Sequence, residues 1–383
     1  MDLESIAAII FLVIVGLFLL KNKKKVQLQK MLFPLLYFIM YRTKLGLKQM
    51  DSIAKKHPKF VKFYGNAAIF VGFLGMIFVS VFLIYNLIKI FFVPASAGAV
   101  SVVLPFNIKG VAYVPFFYWI ISIFILAVVH EFSHGMLARL SNVKIKSSGF
   151  AFFSVLIPIL PAAFVEPDEK KLLKKPAREQ LAIFAAGSFA NIVLCLLCVL
   201  FVVFVFSPVA SKIVKIDGLK VVDYVEMNGS SPLMEAGIQK GEIIKTIDGI
   251  DIIGFENLTG ILEDKTEGDV VKIKTDKNEY DVALRKSNNR TVIGGYLSPN
   301  YSDGLSIALS WFAGLMFWMI NLNLGIGLIN LLPLGPIDGG RMLKVVIDKF
   351  VKNKNKALKL WSLISFLFLI VLLLNILSGF FRA

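Results

Sequence analysis

The chain has 383 residues, 57% of them hydrophobic and 18% charged, with a mean hydropathy of +0.74. Soluble domains are roughly half apolar and about a quarter charged. The composition therefore excludes an ordinary soluble enzyme, a disordered protein and a fibrous repeat, and points to a polytopic membrane protein carrying one soluble domain. The formal net charge of +16 is not a nucleic-acid signal: segments 21–65, 138–179 and 338–360 together hold 27 basic and 7 acidic residues. These segments flank apolar blocks, as the cytoplasmic loops of membrane proteins do. No basic face coincides with a stacking platform for bases, and no nucleic-acid partner is expected.

A helix needs about 20 mainly apolar residues to cross a bilayer. The first span is expected at about 3–20, followed directly by Lys21–Lys25, which positive-inside placement puts in the cytoplasm. The stretch MLFPLLYFIMY, 31–41, is too short to span and is expected in the interface or dipping into the membrane. Residues 42–64 are basic and cytoplasmic. The second span, about 66–93, leads to a nearly uncharged external loop, and the third, about 114–138, returns to Arg139 and Lys144. Residues 149–164, with Pro158 and Pro161, cannot cross without placing KKLLKK outside. They read as an extended re-entrant segment, which is tolerated at membrane depth only where protein or a water cavity covers it.

The fourth span runs from about 180 to 208 and the fifth from about 305 to 334, and the sixth, about 360–381, exits. Residues 209–303 between them hold 12 basic and 16 acidic residues with short β-rich runs and glycine turns, a soluble domain on the external side. The expected organisation is a 1–65 anchor and basic segment, a 66–208 first membrane core, a 209–303 external domain and a 304–383 second membrane core. The result is six transmembrane helices plus one re-entrant segment, with an inserted small α+β domain and both termini outside. Cys195 and Cys198 lie within an apolar block and read as packing residues.

The third span contains His130-Glu131-Phe132-Ser133-His134. Positions i and i+4 share one helix face, so both imidazoles can grip one metal with Glu131 beside it. Two ligands and a general base is the zinc-hydrolase arrangement. Ionisable residues at membrane depth are costly and functional by default. Catalytic zinc takes three protein ligands and leaves a fourth position for water. The best third ligand is Asp338, in NLLPLGPIDGG (330–340), where Pro333 and Pro336 break the helix and Gly339 and Gly340 permit close approach. Glu166 and Asp168 in FVEPDE are the alternatives. His134 lies five residues before Arg139 and ten before Lys144. At ~1.5 Å per residue the site sits roughly 8–15 Å below the cytoplasmic surface.

HEFSH in a membrane helix together with NLLPLGPIDGG resembles the site-2 protease family of intramembrane zinc metalloproteases. The resemblance covers about 114–208 and 305–345, in the order HExxH span, FVEPDE loop, AAGSFAN span, external domain, NLLPxxPxDGG span. It implies that His130, His134 and Asp338 hold Zn2+ and that Glu131 is the general base. The family often has Pro where this chain has Ser188. The depth of the site implies cleavage near the cytoplasmic face of the plasma membrane, and the resemblance implies that the substrate is the transmembrane segment of a single-span protein already trimmed outside. Asn191 and Asn330 are candidates for polar assistance to the scissile carbonyl. A substrate helix must unwind to be cut, and its freed backbone groups need partners that lipid cannot supply. Strand addition would supply them. Gly149, Phe150, Phe152 and Phe153 are the clamp candidates.

Residues 231–249, SPLMEAGIQKGEIIKTIDG, resemble a bacterial-type PDZ domain, which implies capture of an extended peptide chain end by β-augmentation; a steric role in excluding bulky ectodomains stands beside it. Two other functions fit the motifs less well. A divalent-metal transporter would need ligands along a path to both faces, whereas these gather toward one. A membrane-tethered PDZ adaptor with a dead site would have no use for an intact HExxH and Asp338.

Overall fold

The computed structural model describes residues 3–32, 36–93, 98, 100–106, 110–155, 157–227, 229–287 and 290–382. The chain divides into two compact units, 1–201 with 315–383, and 202–314. The second unit encloses the expected 209–303.

In the first unit, α1 (Leu3–Lys21) is followed by the strands β1 (Val26–Leu32) and β2 (Leu36–Thr43), then by α2 (Leu47–Lys56) and α3 (Pro58–Phe92). Two short strands, β3 (Val103–Leu104) and β4 (Ala112–Tyr113), pair in parallel before α4 (Phe116–Leu140). A hairpin of β5 (Ile145–Val155) and β6 (Ile157–Pro167) leads through the short α5 (Glu169–Leu172) to α6 (Ala177–Phe201).

Among the described residues, five helical stretches are long and apolar enough to cross a membrane: Pro58–Phe92, Phe116–Leu140, Ala177–Ile213, Gly304–Ile329 and Lys354–Phe380. These correspond to the second to sixth expected spans. The first, α1, has 19 residues, about 28 Å at ~1.5 Å per residue, near the lower end of spanning lengths. Its Ile10, Ile14 and Leu17 are more than half exposed, an outward apolar face that only lipid or another protein would cover.

The segment 31–41, expected in the interface or dipping into the membrane, is largely strand. It belongs to a four-stranded antiparallel sheet in the order β1-β2-β5-β6. Residues 33–35 lie outside the described part. The register sets Arg42 opposite Gly149, and Gly149 opposite Phe164. The described residues of 149–164 are extended, as its prolines and length predict. The β5 backbone pairs on both sides within the sheet and the β6 backbone on one side, which is how non-helical chain limits unsatisfied polar groups.

The core of the first unit gathers Val61 and Ala68 of α3, Met136 and Leu137 of α4, and Ile183, Ala185 and Ala186 of α6. Small residues on α6 let neighbouring helices approach closely. The chain after the fifth span turns sharply through fully buried Leu331 and Leu332 into α11 (Asp338–Phe350). The Gly339 N–H donates to the Asn330 carbonyl at 2.8 Å. A methyl group at Gly339 would overlap the Leu331 carbonyl, so glycine is what allows the helix to begin against its own preceding turn. The last helix, α12 (Lys354–Arg382), follows.

The second unit starts in a π-type stretch, Val202–Phe206, and α7 (Ser207–Ile213). Its sheet uses β7 (Ile216–Tyr224), β8 (Ile243–Ile247), β9 (Ile250–Asp251), β10 (Val270–Thr275), β11 (Glu279–Ala283) and β14 (Gly295–Tyr301). The order is β11-β10-β8-β7-β14, with β9 on β8. A separate ribbon pairs β12 (Arg285–Ser287) with β13 (Arg290–Val292). The helices are α8 (Pro232–Glu235) and α9 (Phe255–Glu263); α10 (Gly304–Ile329) runs from this unit into the first. Along β10, buried residues alternate with exposed ones, the period-2 pattern of a half-buried strand. The expected Asp-Gly turn joins β8 to β9 with positive φ at both Asp248 (50°) and Gly249 (80°), the requirement of a type I′ hairpin. Glu242, 1% exposed, is satisfied by Thr275 Oγ1 at 2.8 Å, Gln239 N at 3.1 Å and Tyr280 Oη at 3.2 Å.

Candidate metal centre

Three elements of the first unit converge on one point: α4 carries His130 and His134 one turn apart, α6 lies alongside, and α11 begins at Asp338. His130 Nε2 lies 3.1 Å from His134 Nε2. Asp338 Oδ2 lies 3.3 Å from each of these nitrogens. His130, His134 and Asp338 form a His/Cys/Asp/Glu group able to hold a metal ion, with ligand atoms all within 4.8 Å of one another. Two imidazoles and one carboxylate are a donor set suited to zinc.

Two observations test whether these residues fit such an ion. His134 Nδ1 lies 2.6 Å from the Ile183 carbonyl oxygen. A carbonyl only accepts, so Nδ1 carries the ring proton and leaves the Nε2 lone pair facing the cluster. Beside the cluster, α6 presents Gly187. A Cβ there would stand 2.5 Å from His130 Nε2 and collide with His134 Nε2 as well. The missing side chain leaves room where an ion between these nitrogens needs it. Gly187 escaped the sequence reading; the signal was available in the AAGSFAN run, one helical turn before Asn191.

Glu131 points from the same helix to the sheet. The backbone N–H of Val165, in β6, donates to Glu131 Oε2 at 2.8 Å. The carboxylate is thus held beside the cluster without joining it. Ser188 Oγ donates to Asp338 Oδ2 at 3.3 Å, a bond that proline at this position could not make.

The alternative ligands lie elsewhere. Glu166 pairs with Arg42 and accepts from Ser147 Oγ at 2.7 Å. Asp168 caps α5, its Oδ1 3.4 Å from Lys171 N. Asn191 is fully buried, and its side chain meets His130 at Nδ1, the ring edge turned away from the cluster, at 3.1 Å. That is behind the ligand and not on the side where a scissile carbonyl would approach. Asn330 contributes its backbone carbonyl to the turn before Asp338.

Gly149, Phe150, Phe152 and Phe153 all lie in β5, which is paired on both sides, with β2 and with β6. Their backbone groups are committed, so none can take up an added strand. Phe150 stacks on Phe124 at 5.9 Å, and buried Phe152 packs with Val15 and Leu19. The Phe153 side chain lies outside the described residues. On this side the sheet ends at the neighbouring strand, β6; β1 is its other edge.

The second unit contains a groove between α9 and residues 290–297, lined by Leu258, Leu262, Arg290, Ile293 and Leu297.

The pattern of peptidase family M50 matches residues 118–372. An uncharacterized protein of Methanocaldococcus jannaschii is 27% identical over 336 residues, covering 83% of this chain and 80% of that protein. A membrane-bound transcription factor site-2 protease homolog of Arabidopsis thaliana is 30% identical over 148 residues, 38% of this chain and 26% of that protein. Among solved structures, the PDZ domain of the SdrC-like protein of Listeria monocytogenes is 25% identical, covering 24% of this chain and 93% of that one, with a TM-score of 0.18.

Proposed function

The chain belongs to peptidase family M50, the site-2 protease family of intramembrane metalloproteases, and from that membership we propose that it is a zinc endopeptidase that cuts the transmembrane segments of single-span proteins near the cytoplasmic face of the plasma membrane. The observation that carries this reading is the meeting of His130 Nε2, His134 Nε2 and Asp338 Oδ2 within 4.8 Å, with Glu131 adjacent on the same helix. His130, His134 and Asp338 are the ligands and Glu131 is the general base. Zinc held by such a set supplies Lewis acidity, acidifying water and polarising a peptide carbonyl.

The protein's own groups do the rest. Glu131 takes a proton from the attacking water and returns it to the leaving amine. Its Oε2 is anchored by Val165, which leaves Oε1 as the oxygen able to turn to the water. The substrate's unwound backbone pairs with β6. Val165 N points away from β5, and main-chain groups alternate sides along a strand. Ala163 therefore offers both N–H and C=O to the open edge, and Pro161 only its carbonyl. An extended substrate added there runs beside α4, with the scissile bond near the cluster. The basic segments 21–65, 138–179 and 338–360 support a site on the cytoplasmic side and a second unit outside, where its groove would take a peptide end.

The test is cleavage of a reconstituted single-span substrate by purified protein carrying stoichiometric zinc. Products cut within the transmembrane segment, lost on chelation and restored by zinc, are expected. Full activity in metal-stripped protein would refute the reading.

A further inference from the structure

We propose that Asn191 is the positioning residue of His130: its side-chain oxygen accepts a hydrogen bond from Nδ1–H and so holds the ring as a ligand through Nε2. The inference rests on the metal reading above and extends it to a residue outside the ligand set.

His130 turns Nε2 to the cluster, 3.1 Å from His134 Nε2 and 3.3 Å from Asp338 Oδ2. A ligating nitrogen must offer its lone pair, and neutral imidazole has one proton, which then resides on Nδ1. Whatever faces Nδ1 must accept. The group that faces it is the Asn191 carboxamide, whose nearer atom, Nδ2, lies at 3.1 Å. The two ends of a carboxamide have the same shape, and a half-turn about χ2 exchanges them. The turn breaks no hydrogen bond on the other side: Asn191 Oδ1 is buried with no hydrogen-bond partner among the described residues. With the oxygen facing the ring, the proton sits where ligation through Nε2 requires it.

His134 provides the internal comparison. Its Nδ1 lies 2.6 Å from the Ile183 carbonyl oxygen, which can only accept. Both rings are therefore held from behind by an acceptor on α6, one from the backbone and one from a side chain. Residues 187 and 191 share one helix face. Gly187 gives the ion room, and Asn191, one turn later, sets the ring that binds it.

The side-chain acceptor can be replaced. Purified full-length protein and its Asn191→Asp and Asn191→Leu variants are titrated with zinc against a chelator, and Co2+ absorption spectra are recorded. Aspartate keeps an acceptor and lacks a donor; leucine has neither. Removing a group that orients a ligand typically lowers metal affinity 10–100-fold. Asn191→Leu should fall in that range, with a distorted Co2+ spectrum. Asn191→Asp should stay within about threefold of wild type or bind more tightly. Thermal unfolding without metal checks each fold. Should the aspartate variant not fold, Asn191→Ser, which retains an acceptor hydroxyl, must bind more tightly than Asn191→Leu. Equal losses in Asn191→Leu and in the acceptor variant, or no loss in Asn191→Leu, would overturn the proposal while wild type still binds zinc. Wild-type protein that takes up no zinc would overturn the metal reading itself, and this proposal with it.

Discussion

The Val165 backbone N–H donates to Glu131 Oε2 at 2.8 Å, tying the carboxylate beside the candidate metal cluster to β6, an edge strand of its sheet. In the proposed reading, the strand that pairs with substrate through Ala163 and Pro161 also positions the base through Val165. Glu131→Gln should abolish cleavage and leave zinc content unchanged, because Glu131 is not among the ligand atoms. Val165→Pro removes only the donor, in a strand that already carries Pro158, Pro161 and Pro167 and lies at an edge where proline is tolerated. A hydrogen bond to a charged group contributes about 1.5–3 kcal/mol, so kcat should fall by roughly 10–100-fold. Zinc content, measured by mass spectrometry, should not change. Loss of metal in either variant would contradict the division of roles.

Gly187 makes a sharper steric prediction. A methyl group 2.5 Å from His130 Nε2 occupies the position an ion needs. Gly187→Ala should fold, as judged by its melting curve, and lose zinc affinity by more than about a hundredfold, since the first coordination sphere itself is blocked. Ser188→Ala removes a single long bond to Asp338 and should change affinity only severalfold. A zinc titration of the two variants side by side checks the contrast, and equal effects would argue against the cradle.

The candidate grouping of HExxH with Asp338 was legible because its signals are local. A four-residue spacing fixes one helix face, and a Pro- and Gly-broken helix end marks a carboxylate that can turn inward. The sheet was not legible in the same way. Its β2 strand pairs with a partner more than a hundred residues away, Arg42 opposite Gly149, and nothing within MLFPLLYFIMY reveals that partner. The clamp candidates illustrate the limit. Extended conformation at 149–164 followed from its prolines and length, but which strand lies at the edge depends on sheet order. The nearer edge proved to be β6, one strand over. Gly187 stood within the AAGSFAN run, but its role, like that of Val165, could not be assigned locally, because a missing Cβ or a main-chain amide matters only through what folds against it.

Membrane orientation is tested by cysteine labelling. In a background lacking Cys195 and Cys198, single cysteines replace Lys240 and Lys354. A membrane-impermeant thiol reagent applied to intact cells should modify Lys240→Cys and spare Lys354→Cys. Labelling of both, or of Lys354→Cys alone, would reverse the proposed topology.

All residues of the metal cluster belong to the first unit. Replacing about 212–300 with a short Gly/Ser linker should therefore retain zinc binding and cleavage of a substrate already trimmed outside. Cleavage of substrates with intact ectodomains should rise relative to wild type, at equal amounts of folded protein. A deleted enzyme that binds zinc normally and cuts neither substrate would assign the second unit a part in positioning the scissile bond.

The central claim is that His130, His134 and Asp338 hold the ion at which peptide hydrolysis occurs. Its most direct test measures zinc content and cleavage together on purified Asp338→Ala protein, with Glu166→Gln as the control in which the rejected ligand is removed. Asp338→Ala should lose both zinc and activity, while Glu166→Gln, whose carboxylate pairs with Arg42, should keep its zinc. A full equivalent of zinc and full activity in Asp338→Ala would contradict the account.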